Sequence, residues 1–133
     1  MNPTRMLAAV TLAATAILVM HPALAQMSAL QRTDLVRHDL DVPGRETLQT
    51  RVDFAPGALA PAHTHPGVEV AHVLEGTLEY RLDDGAPITL QAGQSLFIPA
   101  GTKHSARNVG SGKASELATY FVEKDKPLVV LAP

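Results

Sequence analysis

The sequence predicts an all-β domain, a sandwich or a barrel, and three observations support this prediction. Long helical patterns are missing after residue 33. Short runs of alternating or β-branched residues take their place. Turn signals rich in Gly, Pro and Asp separate these runs at regular intervals. Many short strands with such spacing are typical of sandwiches and barrels.

Most of the predicted strands end at a recognisable turn. Asp83-Asp84-Gly85 is a strong hairpin-turn sequence, while Pro56-Gly57 and Pro99-Ala100-Gly101 end two other strands. We predict surface connections at residues 26–33 and 41–45. The first of these includes a short stretch at 27–31 with helical potential. In chain order, the predicted strands are 47–55, 68–82 with a break at Glu75-Gly76, 87–91, 95–98, 104–109, 116–123 and 128–131.

The first 25 residues have the pattern of a secretory signal peptide. Arg5 precedes an unbroken run of apolar and small residues at 6–20, and Ala23-Leu24-Ala25 provides a small-x-small cleavage site. The run of about 15 residues is shorter than the roughly 20 that span a bilayer, which argues against a membrane anchor. We therefore expect Sec-type export to the periplasm or the exterior, with cleavage before Gln26. The expected product is one domain at 26–133 that does not associate with membranes.

Composition and charge exclude several classes of partner. Without Arg5, the predicted mature chain has 10 basic against 13 acidic side chains, and it contains no basic run. A nucleic-acid footprint is therefore absent, and so is a polybasic lipid-binding segment. The chain also contains no cysteine, which excludes disulfides and thiolate metal ligands.

The candidate chemistry lies in two stretches of the chain. In the first, His63 and His65 are two residues apart and so present their imidazoles on one face of a strand. Glu69 keeps the same parity, although Pro66-Gly67 must bend the chain in between. In the second stretch, His104 supplies a third imidazole from a strand that is distant in sequence. Three imidazoles and a carboxylate suit a divalent transition metal and leave coordination positions open.

These residues resemble the two motifs of the cupin superfamily. Its first motif is Gly, five residues, His-x-His, three or four residues, Glu, six residues, Gly. Its second is Gly, five residues, Pro-x-Gly, two residues, His, three residues, Asn. The chain resembles the short, single-domain bacterial cupins (type 2, double-stranded β-helix) rather than the two-domain storage or oxalate-degrading kinds. The matching residues, with 77–92 between the motifs, are Gly57, His63, His65, Glu69, Gly76, Gly93, Pro99, Gly101, His104 and Asn108.

The resemblance implies a fold, a metal site and an assembly. The implied fold is a jelly-roll (double-stranded β-helix) barrel, with motifs at 57–76 and 93–108. One divalent metal ion would lie inside the barrel. Iron and manganese are the expected functional metals, and zinc, copper and nickel are the alternatives. The resemblance also implies a homodimer, for which 33–40 and 128–131 are candidate edge strands. The implied metal ligands are His63, His65, Glu69 and His104.

Several other residues are expected to have structural roles. His72 has the opposite parity to Glu69, so its side chain should face away from the metal. His38 lies outside both motifs and is expected at the surface. Asn108 is expected to brace a loop rather than to bind metal. The motif glycines are expected where the chain turns with unusual backbone angles.

One strand face allows two interpretations. Gln49, Arg51 and Asp53 share this face, and Leu48, Val52 and Phe54 lie on the other. The polar face is either solvated, or it places Gln49 or Arg51 at the barrel mouth against an anionic ligand. Three aromatic side chains are expected to pack the barrel or wall its pocket: Tyr80, Phe97 and Tyr120.

The sequence leaves three functions open. The first is a metal-dependent, dioxygenase-like oxidoreductase that acts on a small organic molecule at the open metal positions. In that case Glu69, if partly released from the metal, is a candidate proton acceptor. The second is a non-catalytic protein that captures or senses a small ligand or metal. The third is a metal-assisted isomerase or lyase. Apart from Glu69, neither motif offers a carboxylate or histidine placed to serve as an independent base, which favours the first two functions.

Overall fold

A computed structural model describes residues 29–133 and shows an all-β fold. The signal peptide predicted at 1–25 lies outside the described residues. Within 29–133, no helix is long and apolar enough to cross a membrane. The strands are β1 (Leu30–Asp39), β2 (Arg45–Phe54), β3 (Leu59–Thr64), β4 (Gly67–Glu75), β5 (Thr77–Leu82), β6 (Ile88–Gln91), β7 (Ser95–Ile98), β8 (His104–Asn108), β9 (Ala114–Glu123) and β10 (Val130–Leu131).

The strands form two five-stranded sheets in which every hydrogen-bonded pair is antiparallel. The order is β1-β2-β9-β4-β7 in the first sheet and β10-β3-β8-β5-β6 in the second. Strands distant in sequence, such as β2 and β9, therefore lie side by side. The buried core draws on both sheets, with Phe54 and Val73 from the first packed against Leu78 and Leu90 from the second. This arrangement is the predicted jelly-roll.

The alternation of buried and exposed residues in β2 decides which face of this strand looks inward. Leu48, Thr50, Val52 and Phe54 are buried, because they lie on the face that packs against the second sheet. On the opposite face, Arg51 donates hydrogen bonds to Asp53 (3.0 Å) and Ser115 (3.2 Å). Gln49 lies on the same face and donates to Thr119 Oγ1 (3.2 Å), and neither residue lines the cavity beside the histidines. The interpretation that Gln49 or Arg51 contacts a ligand at the barrel mouth is therefore wrong.

The predicted strands differ from the observed ones in three places. β1 begins at Leu30, so the segment at 30–33 is a strand and neither helix nor surface connection. The hydrophobic pattern did not predict β3, because it lacks β-branched residues before Thr64 and contains Pro61, although the spacing of His63 and His65 assumed a strand there. The last strand is only two residues long. The edge positions proposed for 33–40 and 128–131 are confirmed, since β1 and β10 each lie at the edge of a sheet.

Two of the three predicted packing aromatics are buried. Tyr80 and Tyr120 are each only 1% exposed, whereas Phe97 is 58% exposed, so the prediction for Phe97 is wrong. In β7 it is Ile98 that points inward, and Phe97 pairs with Val70 on the outer face of the sheet.

The motif residues with predicted structural roles behave as expected. Gly57, Gly76, Gly93 and Gly101 all have positive φ angles, between 71° and 90°. The Asn108 side chain donates to the carbonyl oxygens of Ala55 and Gly112 and accepts from the backbone of Gly110. Asn108 therefore holds two loops together, as predicted.

Candidate metal centre

The three motif histidines come together at the end of β3 and the start of β8. Between Ala60 and His63 the register of β3 against β8 shifts by one residue, and the shift places His63 directly opposite His104. Such bulges change the direction in which a strand presents its side chains. His65 follows β3 with the same parity as His63. All three imidazoles are buried, and their ligand atoms lie within 4.8 Å of one another.

Backbone carbonyl groups orient each of the three rings. The Nδ1 atom of His63 lies 2.7 Å from the Pro61 oxygen, and that of His104 lies 2.9 Å from the Thr102 oxygen. The Nδ1 atom of His65 lies 2.5 Å from the Leu128 oxygen, so the C-terminal segment helps to hold this ring. A carbonyl oxygen can only accept, so each Nδ1 carries the proton. In the neutral rings, each Nε2 therefore keeps its lone pair.

Glu69 completes the group from β4. Its Oε2 atom lies 3.0 Å from His65 Nε2 and 3.2 Å from His104 Nε2. Gly67 begins the strand against β9, where even a methyl group would overlap the Phe121 carbonyl oxygen. The absence of a side chain at Gly67 thus allows the close approach of β4 to β9 that positions Glu69.

The electrostatics of the group favour the protonation states that metal ligands need at Glu69 and His63, but not at His104. Burial lowers the pKa of His63 to about 4. Burial raises the pKa of Glu69, but the neighbouring imidazoles of His104 and His65 outweigh this effect and bring the pKa below the usual 4.5. For His104, burial lowers the pKa, but the partners Glu69 and Thr102 raise it overall. At neutral pH, Glu69 is therefore ionised and His63 is neutral.

Two atoms at this centre show that the residues fit a divalent transition metal. Within the described part of the chain, His65 Nε2 and Glu69 Oε2 are buried without any hydrogen-bond partner. They lie 3.0 Å apart, but both carry lone pairs and neither has a proton to share. Two buried acceptors facing each other are costly unless a cation lies between them. Histidines whose second nitrogen donates to a carbonyl are also typical of metal sites.

The other two histidines in the described part of the chain behave as predicted. His72 lies on the outer side of β4, where its Nδ1 is 2.8 Å from Ser95 Oγ. His38 is exposed on β1, next to the Asp39 carbonyl. Neither belongs to the cluster of His63, His65 and His104.

A cavity of about 30 Å³ adjoins this centre and reveals a second buried carboxylate. Glu116 on β9 is 6% exposed, and its Oε2 accepts a 2.5 Å hydrogen bond from the Tyr80 hydroxyl. Burial, together with the charge of Glu69, raises the pKa of Glu116 to about 7. Glu116 was not predicted as a site residue because it lies outside both motifs. Its parity with Ala118, Tyr120 and Val122 was the available signal.

The cavity also reaches the edge strand. Arg32 on β1 lines it and donates a 3.1 Å hydrogen bond from Nη2 to the Tyr120 hydroxyl. The Tyr120 ring in turn meets His65 edge-on, with 4.8 Å between the ring centroids. The cavity lining is Leu30, Arg32, Val52, Ala60, His63, Glu69, Tyr80, His104, Ala106, Glu116 and Tyr120.

Comparisons with known proteins agree with this geometry. Residues 50–120 match the family described as "Cupin domain". The chain is 39% identical over 87 residues to germin-like protein subfamily 2 member 2 of Arabidopsis thaliana, which covers 59% of the chain and 40% of that protein. It is 38% identical over 109 residues to oxalate oxidase GF-3.8 of Triticum aestivum, covering 71% of the chain and 48% of the relative.

The solved structures agree at the level of the fold. An oxalate oxidase in complex with the substrate analogue glycolate superposes with a TM-score of 0.65 and 26% identity, covering 90% of this chain and 63% of that one. The chain spans about half the length of the curated relatives that it matches.

Proposed function

The chain belongs to the cupin domain family, and from this membership and the geometry of the centre we propose that it is a metal-dependent oxidoreductase of a small organic molecule. The observation that carries the proposal is the convergence of three oriented imidazoles on Glu69, with two buried lone pairs left unpartnered. Resemblance to proteins named oxalate oxidase supports the oxidoreductase class. Dioxygenase-like chemistry is the specific form proposed.

We propose that His63, His65, Glu69 and His104 hold one divalent transition-metal ion. When bound, the metal would supply Lewis-acid and redox chemistry at its open positions. Iron or manganese is proposed as the functional ion, and zinc, copper and nickel as competitors, because affinity rises from manganese and iron towards copper.

The chain's own residues would prepare the site for a small substrate. Val52, Ala60 and Ala106 wall the cavity and limit its water content. The carbonyl groups of Pro61, Thr102 and Leu128 keep the imidazoles in one tautomer and orientation. Glu69 is the proposed proton acceptor if it is partly released from the metal, since it is ionised at neutral pH.

The proposal is tested by elemental analysis of purified protein, followed by oxygen uptake with oxalate as the first substrate. We expect one metal ion per chain and metal-dependent oxygen uptake that His63→Ala abolishes. His72→Ala is the matched control, because His72 lies on the outer side of β4. A wild-type protein without bound metal would refute the metal site. A metal-loaded protein that consumes no oxygen with oxalate or related small acids would refute the oxidoreductase but leave the binding or sensing alternative.

The buried Glu116 supports a second candidate, a metal-assisted isomerase or lyase. The motifs offer no independent base besides Glu69, but Glu116 provides a candidate beside the same cavity. A raised pKa near 7 suits a residue that exchanges protons at neutral pH. This candidate predicts oxygen-independent substrate conversion that Glu116→Gln abolishes without loss of metal. Conversion that requires oxygen would exclude it.

We also propose export to the periplasm or the exterior through the signal peptide at 1–25, on the sequence pattern alone. Mass spectrometry of the exported protein should give a chain that begins at Gln26. A mature protein that keeps residues 6–20 and sediments with membranes would refute the proposal.

A homodimer is proposed from the exposure of edge strand β1. Leu35 is 52% exposed and Val36 48% exposed on this strand, which has a neighbour on only one side. A second copy would cover these side chains and the free strand edge. Light scattering should therefore give twice the chain mass, and Val36→Glu should reduce it. A monomer at micromolar concentration would refute the proposal.

A further inference from the structure

We propose that Arg32 selects a small carboxylate anion as the ligand of the cavity beside His63, Glu69 and His104. The proposal rests on the proposed function, since this anion would be the substrate or ligand that meets the metal. Arg32 lies outside both motifs, on the edge strand β1. Among the described residues that line the cavity, it is the only one with a permanent positive charge.

The guanidinium group of Arg32 lies at the cavity, next to Tyr120. Its Nη2 donates to the Tyr120 hydroxyl at 3.1 Å, and the Tyr120 ring contacts His65. Arg32 is exposed on β1, and this hydrogen bond fixes one end of its guanidinium group beside the candidate metal centre. A guanidinium has five N–H donors, and the contact with Tyr120 uses one of them.

Arg32 forms no close ion pair among the described residues, although its positive charge acts on Glu116 across the cavity and lowers the pKa of that carboxyl group against the larger effect of burial. Within residues 29–133, no carboxylate oxygen lies within 4.0 Å of its side-chain nitrogens, although Arg51 pairs with Asp53 at 3.0 Å and Arg37 with Glu46 at 3.9 Å. Glu116, the other carboxylate of the cavity besides Glu69, is bonded instead to Tyr80. The planar fork of Arg32 is therefore available to an incoming carboxylate, which it can bind through two parallel hydrogen bonds.

The small size of the cavity limits which ligands it can hold. Its volume of about 30 Å³ holds about two water molecules. A ligand in such a small space contacts several lining groups at once. One with only a few heavy atoms would therefore lie near Arg32 and near the histidines at the same time. A small monocarboxylate, whose charged end would occupy the cavity, meets both the size and the charge requirement.

The test compares an anion with its neutral analogue. Glycolate and glycolamide have the same size and the same hydroxyl group, but only glycolate is charged. Their binding to Mn²⁺-loaded protein is measured by titration calorimetry for the wild type, Arg32→Gln and Arg32→Lys. Arg37→Gln is the matched control, because Arg37 lies on the same strand but does not line the cavity.

We expect Arg32→Gln to weaken glycolate binding about tenfold or more, because a hydrogen-bonded charge pair is lost. Glycolamide binding and metal content should not change. Arg32→Lys, which keeps the charge without the fork, should fall between the wild type and Arg32→Gln. The control Arg37→Gln should bind both compounds as the wild type does.

Three results would overturn the inference. They are equal glycolate affinity in the wild type and Arg32→Gln, a loss of the same size for glycolamide, and a metal-loaded wild type that does not bind glycolate. Metal content is measured separately, so failure of the metal site is distinguishable from failure of the Arg32 proposal. If the wild type takes up no metal, the same titrations on the metal-free protein decide the role of Arg32. Glycolate binding that depends on Arg32 then supports the proposed role of this residue, and the absence of glycolate binding refutes it.

Discussion

Replacing Glu116 by Gln should stabilise the metal-free protein, and the gain should grow as the pH rises. Glu116 is 6% exposed and shares its inward face of β9 with Ala118 and Val122, where an ionised carboxylate is poorly solvated. Its only hydrogen-bond partner among the described side chains is Tyr80. Gln has nearly the same shape, can accept the same hydrogen bond and carries no charge.

The size of the effect follows from the raised pKa of Glu116. The pKa is about 7 in the folded protein, against an ordinary 4.5. Below pH 4.5 the carboxyl group is protonated in both the folded and the unfolded state, so it does not lower the free energy of unfolding. Between pH 4.5 and about 7, only the unfolded state releases the proton, so the stability of the wild type falls. Above pH 7 the loss is complete, at about 3 kcal/mol.

Urea unfolding of chelator-treated protein at pH 5, 6, 7 and 8 measures this effect. Most of the ~3 kcal/mol difference between wild type and Glu116→Gln should appear between pH 5 and 8. Glu75→Gln is the control, because Glu75 is exposed on the neighbouring strand β4 and should give no such trend. A stability difference that does not depend on pH, or a Glu116→Gln variant that is less stable at pH 8, would refute the reasoning.

Three further predictions concern the candidate metal centre. Alanine at His63, His65 or His104 should lower metal content and remove the stabilisation by metal, about 2.7 kcal/mol at a hundredfold excess over Kd. His72→Ala should change neither, and equal metal loss there would contradict the parity argument. As the pH is lowered, metal affinity should fall about tenfold per pH unit once His104 becomes protonated. This fall should begin at a pH above 6.5, because the pKa of His104 is raised above that ordinary value. In a competition titration, a loss that begins only near pH 4, where His63 titrates, would contradict this. Gly67→Ala should destabilise the protein by about 1–3 kcal/mol in urea unfolding, because its methyl group overlaps the backbone of β9. Unchanged stability would show that β4 and β9 can separate without cost.

Short-range spacing in the sequence was sufficient to predict the all-β class and the four convergent side chains. His63 and His65 share a face because a strand has a period of two residues, and that period is a local property of the backbone. The same argument placed His72 on the opposite side, where it contacts Ser95. Turn glycines such as Gly76 could be predicted because their positive φ angles are also local.

Features that depend on neighbours across the sheets were decided by the tertiary structure. Arg32, Tyr80, Glu116 and Tyr120 come from three strands outside or between the motifs, and they line one cavity only because of the order and register of the two sheets. Sheet pairing also produces the register shift that sets His63 opposite His104. It likewise brings His65 against the Leu128 carbonyl group. Local spacing determines which way a side chain points along its own strand. The neighbours that it meets depend on strand pairings between residues far apart in sequence, which the packing of the whole domain selects.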